Sequence, residues 1–185
     1  MITRINKRGA ALVAAALALS IPLAGCGKEE EKTASGAIIS NDTLASLLAN
    51  DSDLSTVSEA MNDTGLAQVF DGTASYTILA PTDEAFAADA GESLDGPENR
   101  ALLADVLRDH VLPGSLNTQD IAKAIESSGG PVEMTTMGDM TVTFSKDGDR
   151  ITAKTDDGTT AVLGTKAVLA SNGSAIPIDA ILRKP

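Results

Sequence analysis

The sequence has few of the side chains that catalysis and ring stacking require. Its 185 residues include one histidine, one cysteine and no tryptophan, and the aromatic residues are three phenylalanines and one tyrosine. Acid–base and nucleophilic catalysis need titratable groups paired in space, and a pair such as Ser115 and His110 lacks the strained turn that would expose a nucleophile. We therefore expect no enzyme activity, and no aromatic platform for stacking sugars.

Metal ligands are equally scarce. One histidine and one cysteine cannot supply the usual zinc ligand sets. The acidic segments 147–149 and 156–158 hold oxygen ligands, but they lack the complete calcium-loop pattern and are typical of hairpin turns. We expect neither a metal nor another cofactor. A lone cysteine also cannot close an internal disulfide, so the hydrophobic core has to stabilise the fold alone.

Basic residues are few beside the acidic ones. There are 14 Lys and Arg against 26 Asp and Glu, a formal net charge of −12. An acidic surface repels phosphate backbones and no basic stripe offsets this, so nucleic acid is not expected as a partner. Removal of residues 1–25, which carry Arg4, Lys7 and Arg8 and no acids, would take the charge from −12 to −15. Anionic headgroups would repel such a domain, so a membrane link has to be lipid.

The N-terminal residues resemble an export signal. A basic start is followed by the apolar run from Ala10 to Leu19, which is too short to span the roughly 30 Å hydrocarbon core. The segment Leu23-Ala24-Gly25-Cys26 resembles the lipobox of bacterial lipoproteins, in which the cysteine takes a diacylglycerol. We predict a lipoprotein signal peptide over residues 1–25 and membrane attachment through lipidated Cys26. The alternative is an ordinary secretory signal with a chance or structural cysteine.

One domain follows a short linker. Residues 26–39 are charged or small and lack apolar periodicity, which predicts a flexible tether. Residues 40–185 remain for a single domain, because domains typically run to about 100–200 residues. Gly27 lacks the aspartate that commonly marks inner-membrane retention. We therefore expect a lipid-anchored cell-envelope protein, at the outer membrane or periplasm if the bacterium is Gram-negative.

Apolar spacing and capping residues predict helices early in the domain and strands later. Helices are predicted after Asn41-Asp42, from Asp53 to Gly65, over Glu98–His110, and from Asn117 or Thr118 to Gly129. Strands are predicted at Tyr76–Ala80, 140–144, Ile151–Lys154 and 176–182, with turns at Asp147-Gly148, Asp157-Gly158 and Asn172-Gly173. This order of elements indicates an α+β fold.

Three segments resemble the signature of the fasciclin (FAS1) domain family. The segment from Tyr76 to Phe86 resembles its first motif, the segment from Leu107 to Gly114 resembles its central histidine motif, and Ala170–Gly173 with Ile178–Leu182 resembles its closing hairpin. The resemblance implies N-terminal helices packed on a twisted, mostly antiparallel β-sandwich or wedge. It also implies a non-catalytic role in adhesion.

The motif residues that carry over are expected to be mainly structural. They are Thr82, Asp83, His110, Pro113, Gly114, Asn172, Gly173 and Asp179. Thr82 is predicted to cap the next helix, with Asp83 in its first turn, where a carboxylate favours the positive end of the helix dipole. His110 falls on the apolar face of its predicted helix, which favours a core histidine bonded to backbone over a ligand or a base.

Two departures from the family pattern limit what carries over. Asp109 stands where animal members often carry a tyrosine of a cell-binding patch, and no Arg-Gly-Asp tripeptide occurs. Pro177 interrupts the closing segment and predicts either an edge strand or a bulge. The function expected is adhesion or interaction with an envelope or matrix protein. The alternative is small-molecule binding in a pocket near His110.

Overall fold

The computed structural model describes residues 31–32, 38–89 and 96–183. The predicted signal peptide and Cys26 lie outside these residues. Within them, helices pack with one sheet of six strands and one of four strands. Most strand pairs are antiparallel, so the predicted α+β class is confirmed.

The larger sheet joins segments that are distant in sequence. Its strands are β1 (Glu31–Lys32), β2 (Ile38–Ile39), β3 (Tyr76–Pro81), β4 (Val111–Pro113), β9 (Val168–Ala170) and β10 (Gly173–Ile178), in the order β1-β2-β9-β10-β3-β4. β3 and β10 are parallel neighbours, with Tyr76 opposite Gly173, and β2 is parallel to β9. The predicted buried strand at Tyr76–Ala80 is therefore the second strand from one edge.

The smaller sheet is a meander of consecutive strands. Its strands are β5 (Val132–Thr135), β6 (Thr141–Asp147), β7 (Arg150–Thr155) and β8 (Thr160–Val162). Each pairs antiparallel with the next. The pair Asp147 and Arg150 closes the predicted hairpin, and Gly148 supplies a φ of 60° that a tight turn requires. Alternation along β6 places Val142 and Phe144 in the core.

Five α-helices occur in the described residues. They are α1 (Leu44–Asn50), α2 (Ser55–Thr64), α3 (Asp83–Asp89), α4 (Arg100–Arg108) and α5 (Thr118–Ser128). Gly65 and Gly129 end α2 and α5 where the sequence predicts the helices to end, and both adopt the left-handed conformation. Asn117 caps α5 in a reciprocal capping box with Asp120. No helix of the described residues is long and apolar enough to cross a membrane.

Three predicted helices have wrong boundaries, and the strand predicted at 176–182 is β10 (Gly173–Ile178). Thr43 caps α1 in place of Asn41-Asp42, and α2 begins at Ser55 rather than Asp53. The predicted helix over Glu98–His110 is a 3₁₀ turn at Pro97–Asn99 followed by α4, which ends before His110. It ends there because the carbonyl of His110 accepts a hydrogen bond from Leu79 N at 2.8 Å and the chain continues into β4.

The predicted tether also differs from the structure. The tether was predicted to reach residue 39, but Ile38–Ile39 pairs with Val168 and Leu169 of β9. The N–H of Ser40 continues this ladder to Leu169 O at 2.9 Å. The sheet therefore includes four residues of the tether predicted over residues 26–39, namely Glu31–Lys32 and Ile38–Ile39.

Pro177 lies in neither an edge strand nor a bulge. β10 is an interior strand, but its pairing with β9 ends at Ala175. The carbonyl of Pro177 points to the β9 side, where it accepts a hydrogen bond from Gly164 N at 2.7 Å. The missing N–H faces the same side beyond the end of β9, so no ladder hydrogen bond to β3 is lost.

Two hydrophobic clusters fill the interior. The first joins α1, α2 and α4 to β3, with Leu44, Met61, Phe70 and Ile78 among its buried members. The second joins α5 to the four-stranded sheet and to the other face of β3 and β10. Side chains of β3 and β10 point to opposite faces of the sheet and enter one cluster or the other, so these two strands contribute to both clusters and separate them.

Candidate functional site

Thr82 and Asp83 follow β3 directly and connect it to two helices. Oγ1 of Thr82 accepts a hydrogen bond from Ala85 N at 3.2 Å, so Thr82 caps α3 where the sequence predicts a cap. The N–H of Thr82 also bonds to Ile178 O at 3.1 Å, at the end of β10. This residue therefore joins the end of the parallel strand pair to the start of α3.

Asp83 stabilises a helix other than its own. Its carboxylate accepts hydrogen bonds from the Ser55 hydroxyl at 2.6 Å and from Thr56 N at 2.8 Å. These groups are in the first turn of α2, whose N-cap residue, Leu54, makes no side-chain cap. Burial acts to raise the pKa of Asp83, but the hydrogen bonds from Ser55 and Thr56 outweigh it and lower the pKa. Asp83 therefore supplies a cap that α2 lacks.

His110 is buried and uses both ring nitrogens on backbone groups. The side chain is 1% exposed. Nδ1 lies 2.7 Å from Val106 O, and Nε2 accepts a hydrogen bond from Leu182 N at 2.9 Å. These partners require the neutral tautomer with the proton on Nδ1. Burial lowers the pKa of His110 to about 4, although the Val106 carbonyl and Asp109 act to raise it.

Asp109 forms an ion pair with Arg183, the residue that follows Leu182. Asp109 is 1% exposed, and its Oδ2 accepts a hydrogen bond from Arg183 Nη1 at 2.7 Å. This interaction raises the pKa of the Arg183 guanidinium. Oδ1 of Asp109 has no hydrogen-bond partner among the described residues, and a Cβ on Gly138 would overlap it. Asp109 and His110 thus both bond to the C-terminal segment. Asp109 is buried and is not available at the surface for cell binding.

Asn172 links three separate segments. Its Oδ1 accepts a hydrogen bond from Leu44 N at 2.8 Å, in the first turn of α1. Its Nδ2 donates to Phe70 O at 2.6 Å and to Gly72 O at 2.8 Å. The side chain is 7% exposed, so these backbone groups have little access to water. The predicted turn residue is therefore a buried junction between α1, the 70–72 segment and β10.

Three neighbouring motif residues shape the same end of the sheet. A Cβ on Gly173 would overlap the carbonyl oxygen of Tyr76, so only glycine fits this approach of β10 to β3. Pro113 ends β4 opposite Tyr76. Gly114 has a φ of 88°, and its carbonyl accepts a hydrogen bond from the buried Thr77 hydroxyl at 2.7 Å. These three residues therefore shape the backbone at this end of the sheet.

Asp179 lies at the opposite end of the parallel strands, near Thr82. Its carboxylate accepts a hydrogen bond from Val162 N at 2.6 Å, which covers the outer edge of β8. Thr82 and Asp179 line an open groove of about 210 Å³ together with Gly164 and Pro177. Another groove, of about 190 Å³, lies beside α1 and α2 and is lined mainly by small residues together with Leu48 and Met61. Both are below the roughly 300–1,000 Å³ of usual ligand pockets.

The structure brings the predicted residues together in two groups. Asn172, Gly173, Pro113 and Gly114 meet at the Tyr76 end of β3, and Thr82, Asp83 and Asp179 meet at its Pro81 end. His110, between α4 and β4, lies apart from both groups and contacts the C-terminal segment at Leu182. With both nitrogens on backbone groups, it has no nitrogen left for Ser115 or for a substrate. In the described ranges, no group of three acidic, histidine or cysteine side chains could hold a metal.

Sequence reasoning missed three roles. The cap that Asp83 gives to α2 and the triple contact of Asn172 span 27 to 128 residues, beyond any local pattern. The Arg183–Asp109 pair was also missed, because its two residues are 74 positions apart and no local pattern identifies the partner of Asp109.

Comparison with known proteins agrees with this geometry. The family model described as "Fasciclin domain" matches residues 52–184. "Protein sll1483" of Synechocystis sp. (strain ATCC 27184 / PCC 6803 / Kazusa) is 30% identical over 167 residues, and the match covers 85% of each chain.

The fold has a counterpart among solved structures. A FAS1 domain pair from the insect cell adhesion molecule Fasciclin I matches with a TM-score of 0.57 and 23% identity, over 72% of this chain and 46% of that one. The chain thus spans about half the length of that domain pair, and the likeness shows the fold alone. Because the family model covers most of its length, the chain belongs to the fasciclin domain family.

Proposed function

We propose that this chain is a lipid-anchored fasciclin-domain lipoprotein of the cell envelope that acts as a non-catalytic adhesion or protein-interaction module. The observation that carries the proposal is the order of segments. An apolar run and Leu23-Ala24-Gly25-Cys26 precede a fasciclin domain that matches over residues 52–184. Diacylglycerol on Cys26 holds the domain at a membrane, which is the outer membrane if the bacterium is Gram-negative.

The motif side chains support a module that works through its surface. His110, Asn172 and Asp83 use their polar atoms on backbone or side-chain groups of the fold itself. Such groups stabilise the domain and are not presented to a substrate. Binding then depends on the surface contact area with an envelope or matrix protein, as in other protein interfaces.

The adhesion proposal also draws on a named relative of the fold. The matched insect structure is described as a cell adhesion molecule. That chain carries a pair of domains, and its partner and activity belong to it. For this chain, the proposed partner is a protein of the envelope or the surrounding matrix.

Lipidation is tested by changing Cys26 to Ser. Cells that express the wild-type protein are fed an alkyne-tagged fatty acid and then fractionated. The wild-type protein is expected to carry the tag and to sediment with membranes, whereas C26S carries no tag and is released. A wild-type chain that is untagged and freely soluble would rule out the anchor.

Interaction is tested by cross-linking in intact cells, followed by mass spectrometry of the captured neighbours. The matched control is C26S, which keeps the same domain without the lipid. A specific envelope protein enriched with the wild-type chain over C26S supports the proposal. Capture of nothing above this control contradicts it.

The alternative of a ligand pocket near His110 gains no support. The imidazole is 1% exposed, both of its nitrogens are bonded to backbone, and it lines neither of the two grooves. A small molecule at this point would have to displace the C-terminal segment that contains Leu182.

A further inference from the structure

The anchored chain enters the domain at one edge of the six-stranded sheet. β1 begins at Glu31 and pairs antiparallel with β2, and β2 pairs with β9. The attachment continues past β2, because Ser171 N donates to Asp42 O at 3.0 Å. The N-terminal segment is therefore fastened along the β1–β2 edge.

This pairing shortens the tether. Five residue steps separate Cys26 from Glu31, which reach at most about 18 Å when fully extended. Without the β1–β2 pairing, the tether would run for twelve steps from Cys26 to Ile38 and reach about 43 Å. The pairing of β1 with β2 therefore shortens the maximum length of the tether by more than half.

The width of the sheet exceeds the reach of this tether. Six strands in the order β1-β2-β9-β10-β3-β4 are separated by five spacings of about 4.8 Å, or about 24 Å in all. The turn that contains Met137 extends this distance further, because Met137 N bonds to Val111 O at the outer side of β4. A tether of about 18 Å therefore excludes an upright sheet that stands on its β4 edge, because β1 would then lie about 24 Å above the bilayer.

Charge favours an upright domain over one lying flat. Without residues 1–25 the chain carries a net charge of −15, from −12 less the three lost basic residues. Anionic headgroups repel such a domain, so its faces are pushed away from the surface as far as the tether allows. The β1–β2 edge stays nearest to the bilayer because the tether holds it there.

We propose that the β1–β2 edge of the six-stranded sheet is the edge that faces the lipid bilayer, and that the β4 edge with the turn at Met137 faces away from it. This orientation rests on the lipid anchor proposed above. It makes Met137, which is 39% exposed, an outward position, whereas Asn41, an exposed residue just after β2, is close to the membrane.

The orientation is tested with two variants, N41C and M137C, of the mature lipidated protein that begins at Cys26. Cys26 is occupied by lipid, so the added cysteine alone takes a fluorescent donor. The labelled proteins are bound to vesicles of phosphatidylethanolamine and phosphatidylglycerol that carry a trace of acceptor-labelled lipid. Energy transfer is expected to be about two-fold or more higher from position 41, because a displacement of about 24 Å separates the two edges.

Two controls separate the orientation from the anchor. Flotation of the protein with the vesicles reports the anchor, and C26S forms of both variants should not float. A Gly/Ser insertion of about ten residues before Glu31 extends the reach beyond the sheet width and should bring the two transfer efficiencies together. Equal or reversed transfer in floated protein without the insertion overturns the orientation alone. Failure of the lipidated protein to float overturns the anchor and the orientation with it.

Discussion

The two sheets of this domain are assembled in different ways. In the four-stranded sheet, β5 to β8 follow one another and each hairpin is closed by a nearby turn. In the six-stranded sheet, the central pair β3 and β10 brings together residues 97 positions apart, Tyr76 and Gly173. The first arrangement needs only local contacts, and the second has to overcome the entropy of closing long loops.

The family motifs belong to the second arrangement. Asn172, Asp83 and His110 each bond to segments at least 27 residues away. In the four-stranded sheet, by contrast, Thr155 and Asp157 bond to each other two residues apart. These motif residues therefore hold distant segments in place, and we expect their loss to cost more stability than the loss of a local turn.

The largest effect is expected for Asn172→Ala. The change leaves Leu44 N, Phe70 O and Gly72 O without their side-chain partner in a site that is 7% exposed. Because each unsatisfied buried group costs about 1–3 kcal/mol, the free energy of unfolding should fall by about 3 kcal/mol or more. Urea denaturation measures it. The matched control is Asn117→Ala, which removes a local cap on α5 and should cost about 1 kcal/mol. Equal losses of stability in the two variants would contradict the expectation that contacts between distant segments stabilise the fold more than local ones.

His110→Leu should come next. The substitution removes the acceptor of Leu182 N and the donor to Val106 O, both buried. A loss of about 2–3 kcal/mol at pH 7.5 is expected, since a leucine fills much of the same space and only the hydrogen bonds disappear. Hydrogen exchange at Leu182 should increase with it. An unchanged urea midpoint would show that His110 does not hold the C-terminal segment.

The pH dependence of this loss gives a separate test. The pKa of His110 is about 4 in the folded chain against an ordinary value of 6.5, so between these values the unfolded chain binds a proton that the folded chain does not. Stability from this group is complete above pH 6.5 and is lost as the pH falls towards 4. From pH 7.5 to pH 5 the wild-type protein should lose about 2 kcal/mol more than His110→Leu does. Parallel stability profiles for the two proteins would contradict the buried neutral imidazole.

Asp83→Ala should have a smaller effect. It removes the carboxylate that caps α2 by accepting hydrogen bonds from Ser55 and Thr56, at a site that is only partly buried. The expected loss is about 1–2 kcal/mol, the usual value of a helix cap. Glu84→Ala is the matched control, because Glu84 is exposed in the same turn of α3 and should change little. A comparable loss in Glu84→Ala would assign the effect to the helix dipole of α3 instead of the cap on α2.

Local elements could be predicted from the sequence because local chemistry decides them. The strand at Tyr76–Ala80, the cap at Asn117, the glycine ends of two helices and the hairpin at Gly148 all depend on residues within a few positions. The end of α4 could not be predicted in this way. Its last turn competes with the pairing of His110 O to Leu79 N, and that pairing depends on a strand 31 residues earlier.

The candidate site shows the same division. The cap at Thr82 and the backbone-bonded imidazole of His110 could be predicted, because a residue after a buried strand and a histidine on an apolar face are local patterns. The cap from Asp83 to α2, the junction at Asn172 and the Arg183–Asp109 pair could not. Each depends on which distant segment the fold places beside the side chain.

The smallest effect is expected for Gly148→Ala in the β6–β7 hairpin. Gly148 has a φ of 60° and open space where a Cβ would lie, so alanine meets backbone strain and no clash. The free energy of unfolding should fall by about 1 kcal/mol. Gly130→Ala is the control, since Gly130 also has open space but no positive φ, and it should be neutral or slightly stabilising. If the four-stranded sheet is assembled locally, faster amide exchange in Gly148→Ala should be confined to β6 and β7, and a change that spreads to β3 and β10 would join the two sheets into one cooperative unit.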